Sequence, residues 1–336
     1  MEDLFGHRIS YLRVSITDRC NERCRYCMPQ ELQEWLPRGE VLTYEEVLRV
    51  VRVGVGLGIQ KVRVTGGEPL TRRDVVGFME ALGEMDGLEE IGISTNGTLL
   101  SSRYPGGGGR TYAEALKAAG VESVNLSLDT LDSSVYEAAT GRDFLGRVME
   151  GIDAAKDAGI GVVKINSVLM RGTNEGELND LVDFAYERGL LLRFIELMPV
   201  STTHVLSEDN FLSSREARRL VEDRLGELIA DPGFKTNGPA VYYRVPGRQQ
   251  RIGFIGAMTN LHFCESCNKL RLTCDGKLRP CLGSHLEFDM KAVLRKEGAS
   301  DKDVARFFAE VVARKPREHE FRENYEPGRR MVAIGG

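Results

Sequence analysis

Between residues 10 and 198 short β-branched runs alternate with amphipathic stretches, and this alternation restricts the fold of the 336-residue chain more than any other feature. The strand-like runs are "YLRVSIT" (11–17), "KVRVTG" (61–66), "EIGIST" (90–95), "SVNLSLD" (123–129), "VVKINSVLM" (162–170) and "LLRFIELM" (191–198). After the first run, Tyr44, Val47, Leu48, Val51 and Val55 recur at helical spacing. Thr43 with Glu46 forms a capping signal there, and Gly58 marks the exit. The same spacing predicts helices over 73–84, 111–119, 145–158 and 175–188. Six strand–helix units in a row imply an α/β fold with a parallel sheet and helices outside, open or curled into part of a barrel. In a barrel-like sheet, chemistry collects at the carboxyl ends of the strands and in the loops that follow.

After Pro199 the alternation fails. One helix is expected near 214–228, short strands around "AVYYRVPG" and "RIGFIGAM", and another helix over 301–314. The chain therefore divides into residues 1–199 and a smaller appended domain, 200–336. With 42% hydrophobic and 28% charged residues it has the balance of a soluble globular protein. A net charge of −5 offers no global attraction for nucleic acid or an acidic membrane, so anion binding must fall to local basic clusters. No apolar run is long enough to span a bilayer, and "MEDLFGHRISYLRVSITDRC" lacks a signal-peptide pattern, so a cytosolic location is expected. The glycine-rich "SSRYPGGGGR" (101–110) lacks the Walker lysine–serine pair and reads as a flexible connector.

Seven cysteines, an odd number in a reducing compartment, argue for metal or catalytic roles over disulfides. They fall into two distant groups. "TDRCNERCRYCMP" places Cys20, Cys24 and Cys27 in C-x3-C-x2-C spacing directly after the first strand. Three thiolates on one tight loop can hold three corners of a cubane iron–sulfur cluster and leave the fourth iron without a protein ligand. A closed zinc site needs a fourth ligand, which only His7 or a distant residue could supply; that alternative stays open. "FCESCNKLRLTCDGKLRPCL" (263–282) carries Cys264, Cys267, Cys274 and Cys281, either four ligands of a closed site or three ligands and a bystander.

The first motif, with Tyr26 just before its last cysteine and "TGGEP" (65–69) after the second strand, resembles the radical S-adenosylmethionine (SAM) superfamily. That resemblance implies that the amine and carboxylate of SAM chelate the open iron held by Cys20, Cys24 and Cys27. An electron from the cluster then releases a 5′-deoxyadenosyl radical. A longer resemblance spans nearly the whole chain: "LRVSITDRCNERCRYCMP", "VRVTGGEPLTRRD", "STNG", "VNLSLDT", "LRFIELMP", the second cysteine group and the terminal "IGG" are similar to the GTP 3′,8-cyclase family of molybdenum-cofactor biosynthesis. It implies an incomplete (βα)6 TIM-like barrel with a smaller C-terminal domain that carries a second 4Fe–4S cluster. Its ligands would be Cys264, Cys267 and Cys281, with the open iron contacting the guanine of GTP and Cys274 not a ligand. The implied reaction is abstraction of the 3′ hydrogen of GTP, attack of the ribose radical on guanine C8, and formation of 3′,8-cyclo-7,8-dihydro-GTP.

By position in those motifs, the resemblance assigns Arg13, Lys61, Arg63, Ser94, Lys164, Lys269 and Arg271 to GTP, and Tyr26, Gly67, Ser127, Asn166 and Met198 to SAM. Cations on inner strands are unusual unless paired with anions, so salt bridging to acidic neighbours is the plain alternative for each. The family usually has arginine where this chain has Lys269, which keeps the charge but loses the planar fork that grips phosphate. Gly335 and Gly336 are expected to extend into the active-site cavity. Implied partners are GTP, an external electron donor and a downstream cyclic pyranopterin monophosphate synthase, with no nucleic acid and no membrane; a homodimer is left open. Two rivals also stay open. A different radical SAM enzyme with an auxiliary cluster would need neither a triphosphate pocket nor a terminal Gly-Gly. A zinc-stapled nucleic-acid module fits poorly with the net charge and the few aromatic residues near the basic strands.

Overall fold

The structure, a computed structural model, describes residues 1–29, 34–236, 238–323 and 325–335. Its first part runs β1 (Tyr11–Ser15), α1 (Tyr44–Gly56), β2 (Lys61–Thr65), α2 (Val75–Gly83), β3 (Glu90–Thr95), α3 (Tyr112–Ala118), β4 (Ser123–Ser127), α4 (Ser133–Thr140), α5 (Leu145–Asp157), β5 (Val162–Leu169), α6 (Leu178–Glu187) and β6 (Leu191–Glu196). All six expected strands and five expected helices are present, the helices ending a residue or more short of the expected bounds. The capping box on α1 forms: Thr43 Oγ1 accepts from the Glu46 amide and the Glu46 carboxylate from the Thr43 amide. Helix α4 was not expected from the periodicity, because it is short and rich in serine. Its signals are the Asp132 cap, which accepts from the Ser134 and Val135 amides, and Gly141, whose φ of 68° ends it.

The second part adds α7 (Ser214–Leu225), β7 (Ile229–Ala230), β8 (Val241–Arg244), β9 (Arg251–Ile255), β10 (Lys269–Leu272), β11 (Lys277–Arg279), β12 (Phe288–Asp289), α8 (Met290–Arg295), α9 (Asp301–Ala313) and α10 (Met331–Ile334). Strands β1 to β6 lie parallel in chain order. Strand β10 joins parallel outside β1 and β9 parallel outside β6; β11–β12 and β8–β7 continue antiparallel at the two edges. Residues beyond 200 thus supply both flanks of the sheet. Strands β12 and β7 end it without pairing to each other, so the barrel is incomplete. Among the described residues, no helix is long and apolar enough to cross a membrane.

Period-two alternation decides what each face does. Leu12/Val14, Val62/Val64, Ile91/Ile93, Val124/Leu126, Val163/Ile165 and Leu192/Phe194 join the buried core on the helix side. Their neighbours Arg13, Arg63, Ser94, Asn125, Lys164 and Arg193 line a cavity on the other side. The outer face carries the hydrophobic stabilisation, which leaves the inner face open to polar residues.

Candidate active site

One cavity of about 360 Å³ collects nearly every residue singled out from the sequence. Its wall includes Cys20, Cys24, Cys27, Cys264, Cys267 and Cys281. Residues from β10 and from β6, far apart in the strand order, both line it, so the sheet curls around the space. Cys274 is fully buried and does not line it.

The first cysteine loop is fastened from several sides. The Arg23 and Arg25 amides donate to the Thr140 and Ala139 carbonyls at the end of α4, at 2.7 and 3.0 Å. The helix missed by periodicity is therefore what seats the loop. Ser201 Oγ donates to the Cys27 carbonyl (2.7 Å), and Tyr26 OH donates to Asp129 (2.9 Å), whose other oxygen accepts from the Val168 amide (2.7 Å). Tyr136 OH donates to Glu22. Burial pushes the Cys27 thiol up to about 12 and raises Cys20 and Cys24 as well, so binding a positively charged group is what makes their thiolates stable here.

The "TGGEP" turn packs against this loop: the Gly67 and Glu68 amides donate to the Thr17 and Arg19 carbonyls at 2.7 and 2.8 Å. A Cβ on Gly67 would lie 2.3 Å from the Arg19 carbonyl oxygen. Glycine is thus required here for loop-on-loop packing, a reason beyond the ligand approach expected from the sequence. The Glu68 carboxylate accepts from Leu70, Thr95 Oγ1 and the Asn96 amide, and burial raises it to about 7.

The second set sits beside β10. Burial alone would raise the Cys267 thiol, but Lys315 and Lys269 outweigh it and hold it below the usual value. Burial raises Cys281 to about 11. Among the described residues no three His, Cys, Asp or Glu side chains converge as ligands of a single ion. Each set brings three thiols to the cavity wall, the number that holds three corners of a cubane and leaves its fourth iron open.

Between the two sets runs a row of cations. Arg271, Arg13 and Arg63 stand in register across β10, β1 and β2. Arg63 donates to Tyr11 OH, the Ile93 carbonyl and Ser123 Oγ at 2.7, 2.9 and 2.7 Å. Its guanidinium crosses Gly92, where a Cβ would come within 2.5 Å of Nη2. Lys164 is 5% exposed; burial, then Arg193 and Arg63, lower it to about 7. Lys269 Nζ donates to Asn268 Oδ1 (3.1 Å) and lies 5.6 Å from the centre of the Tyr11 ring. Lys61 does not line the cavity; it is ion-paired with Glu90 at 2.9 Å, its register partner on β3.

Gly67, Ser127, Asn166, Met198 and Tyr26 line the cavity, as does Ser94, whose buried Oγ has no hydrogen-bond partner among the described residues. Gly335 is not part of the wall, but its carbonyl accepts from Arg271 Nη1 at 2.9 Å. Gly336 lies outside the described residues. Sequence reasoning passed over Arg193, whose Nε donates to Asn166 Oδ1 at 2.9 Å, and Asn125. The signal was available: Arg193 is a cation inside an apolar strand, the pattern that singled out Arg13. The glycine-rich 101–110 stretch is a β3–α3 connection away from the cavity.

Residues 14–185 match the model of the radical SAM superfamily, and residues 190–321 match the model described as Molybdenum Cofactor Synthesis C. A GTP 3′,8-cyclase from Thermodesulfovibrio yellowstonii is 43% identical over 337 residues, with all of both chains covered. This chain belongs to the GTP 3′,8-cyclase family. The GTP 3′,8-cyclase of Moorella thermoacetica is also 43% identical, over 336 residues and the full length of both chains. Among solved structures, Streptococcus suis SuiB bound to S-adenosylmethionine has a TM-score of 0.61 at 17% identity, covering 88% of this chain and 65% of that one. Native anSMEcpe with bound AdoMet has a TM-score of 0.60 at 16% identity, covering 93% of this chain and 82% of that one. These two likenesses concern the fold. Membership of the radical SAM superfamily carries a 4Fe–4S cluster and SAM as cofactors.

Proposed function

We propose that the chain is a radical SAM GTP 3′,8-cyclase, a lyase that converts GTP to 3′,8-cyclo-7,8-dihydro-GTP for molybdenum-cofactor synthesis. The observation that carries the reading is that two three-cysteine sets from opposite ends of the chain face one cavity floored by buried cations. Residues 1–199 supply the first set and most of that floor; residues 200–336 supply the second set and the tail.

When bound at Cys20, Cys24 and Cys27, the cluster with SAM supplies the deoxyadenosyl radical. Tyr26, Gly67, Ser127, Asn166 and Met198 are the residues assigned to hold SAM. Arg13, Lys164, Lys269 and Arg271 neutralise the triphosphate, with Arg193 added to them, while Arg63 acts as fixed charge because its donors are engaged by the protein. Cys264, Cys267 and Cys281 are the residues that would hold a second cluster, whose open iron would supply a contact for the guanine. Fixing both ends of the nucleotide keeps ribose C3′ and guanine C8 as near-attack partners once the 3′ hydrogen is gone, and apolar lining residues such as Val168, Ile195, Leu197 and Ile255 limit water there. The electron that ends the reaction comes from an external donor, and the product passes to a cyclic pyranopterin monophosphate synthase.

The test is anaerobic incubation with SAM, a reductant and GTP. Deoxyadenosine release that requires GTP, with a cyclised nucleotide as product, is the expected result. Deoxyadenosine release indifferent to GTP, with no cyclised nucleotide, would refute the assignment.

A further inference from the structure

Lys315, just beyond α9, is 4% exposed, yet its hydrogen-bond partners among the described residues are two carbonyls and a thiol, none a carboxylate. Its Nζ donates to the Pro280 carbonyl at 2.5 Å, the Lys269 carbonyl at 3.2 Å and the Cys267 sulfur at 3.5 Å. A lysine ammonium has three donors, and all three are engaged. The carbonyls belong to the two segments that carry the second cysteine set, one adjoining Cys281 and the other two residues past Cys267. A buried cation without an acidic partner is costly unless something anionic lies against it. Here that partner is the thiolate set and whatever it holds.

The two cysteine sets differ in this respect. At the second set Lys315 Nζ brings a full positive charge to Cys267 Sγ, 3.5 Å away. At the first set the Glu22 amide donates to Cys20 Sγ at 3.4 Å, while the Cys24 thiol faces the Glu22 carboxylate at 3.9 Å. Hydrogen bonds and positive charge at the sulfurs favour the reduced, more anionic form of a cluster.

We infer that Lys315 is a positioning residue of the second site: it ties the Cys267 and Cys281 segments together and raises the reduction potential of the group they hold. The inference rests on reading Cys264, Cys267 and Cys281 as cluster ligands.

The experiment uses the full chain with Cys20, Cys24 and Cys27 all changed to Ala, so that only a second-site cluster is present, titrated anaerobically by electron paramagnetic resonance. A protein without iron in that background sinks the cluster reading itself. With iron present, Lys315→Met is expected to shift the midpoint more negative by about 59 mV or more, a tenfold change in a one-electron equilibrium. Lys315→Gln, which keeps a donor for the carbonyls without the charge, shifts in the same direction, and Lys315→Arg stays nearer the parent. An unshifted midpoint in whichever of the Met and Gln variants retains the cluster overturns the inference. Should both lose second-site iron, the same changes are made in the chain with its native cysteines. Retention of first-site iron there supports the positioning role. Loss at both sites, with a lowered unfolding midpoint of the apoprotein, assigns Lys315 to general stability and also overturns it.

Discussion

Cys274 and Cys281 carry the same thiol, but only Cys281 faces the cavity. Cys274, two residues past the end of β10, is fully buried, its Sγ 4.0 Å from the Ala333 carbonyl in α10. In anaerobically prepared protein, Cys281→Ala is expected to halve the iron from about eight to about four per chain, whereas Cys274→Ala leaves it unchanged. Equal loss in both variants would reverse the ligand assignment. Lys164 offers a second test, through pH. Its ammonium is held down to about 7 by burial first, then by Arg193 and Arg63, with Glu90 opposing. The free protein therefore carries that charge below pH 7 and loses it above, whereas a bound triphosphate favours the charged form. GTP binding then takes up a proton at high pH, and affinity falls about tenfold between pH 7 and 8.5. Calorimetric titration at the two pH values checks this, and Lys164→Met should flatten the difference.

At the scale of elements, the C-terminal flank is attached through a buried acid as well as through the sheet. Glu196, at the end of β6, is fully buried and accepts from the Ser214 amide (2.8 Å), the Met258 and Thr259 amides (2.8 and 3.1 Å) and Thr259 Oγ1 (2.5 Å). It thereby joins β6 to the start of α7 and to the turn after β9. Glu196→Ala leaves several buried donors without an acceptor and is expected to cost about 3 kcal/mol, measured as a lower denaturant midpoint. The same scale explains why α4 escaped the sequence reading while the α1 capping box did not. A cap is a contact between residues three apart, whereas the worth of α4 lies in the cysteine loop it holds, more than a hundred residues earlier in the chain.

For the molecule as a whole, the chain's end returns to its beginning. Gly335 has φ +90°, and a Cβ there would lie 2.7 Å from Thr65 Cγ2 and 2.9 Å from Ser15 Cβ. Gly335→Ala is therefore expected to displace the tail, freeing Arg271 from its carbonyl and lowering turnover more than tenfold while iron content stays at the parent level. Turnover within twofold of the parent would show that the tail's seat is immaterial.

Local chemistry was legible without coordinates: the six β–α units and the spacing of both cysteine sets rest on contacts a few residues apart or on short-range repeats. Grouping by distance along the chain was less reliable. Lys61 reads like Arg63, and both reach Glu90, at 2.9 and 3.9 Å; the difference is that Arg63 lines the cavity and Lys61 does not. Arg193 needed the strand register to be seen beside Asn166. Lys315 carries no motif at all. Its role follows from the segment after α9 reaching the start of β10, so that one ammonium meets Cys267, the Lys269 carbonyl and the residue before Cys281. Sequence by itself determined which residue types exist to do chemistry and which face of each strand they occupy. Only the tertiary structure decided which buried charges meet an anion of the protein and which are left facing the cavity, because that depends on packing between segments far apart in the chain.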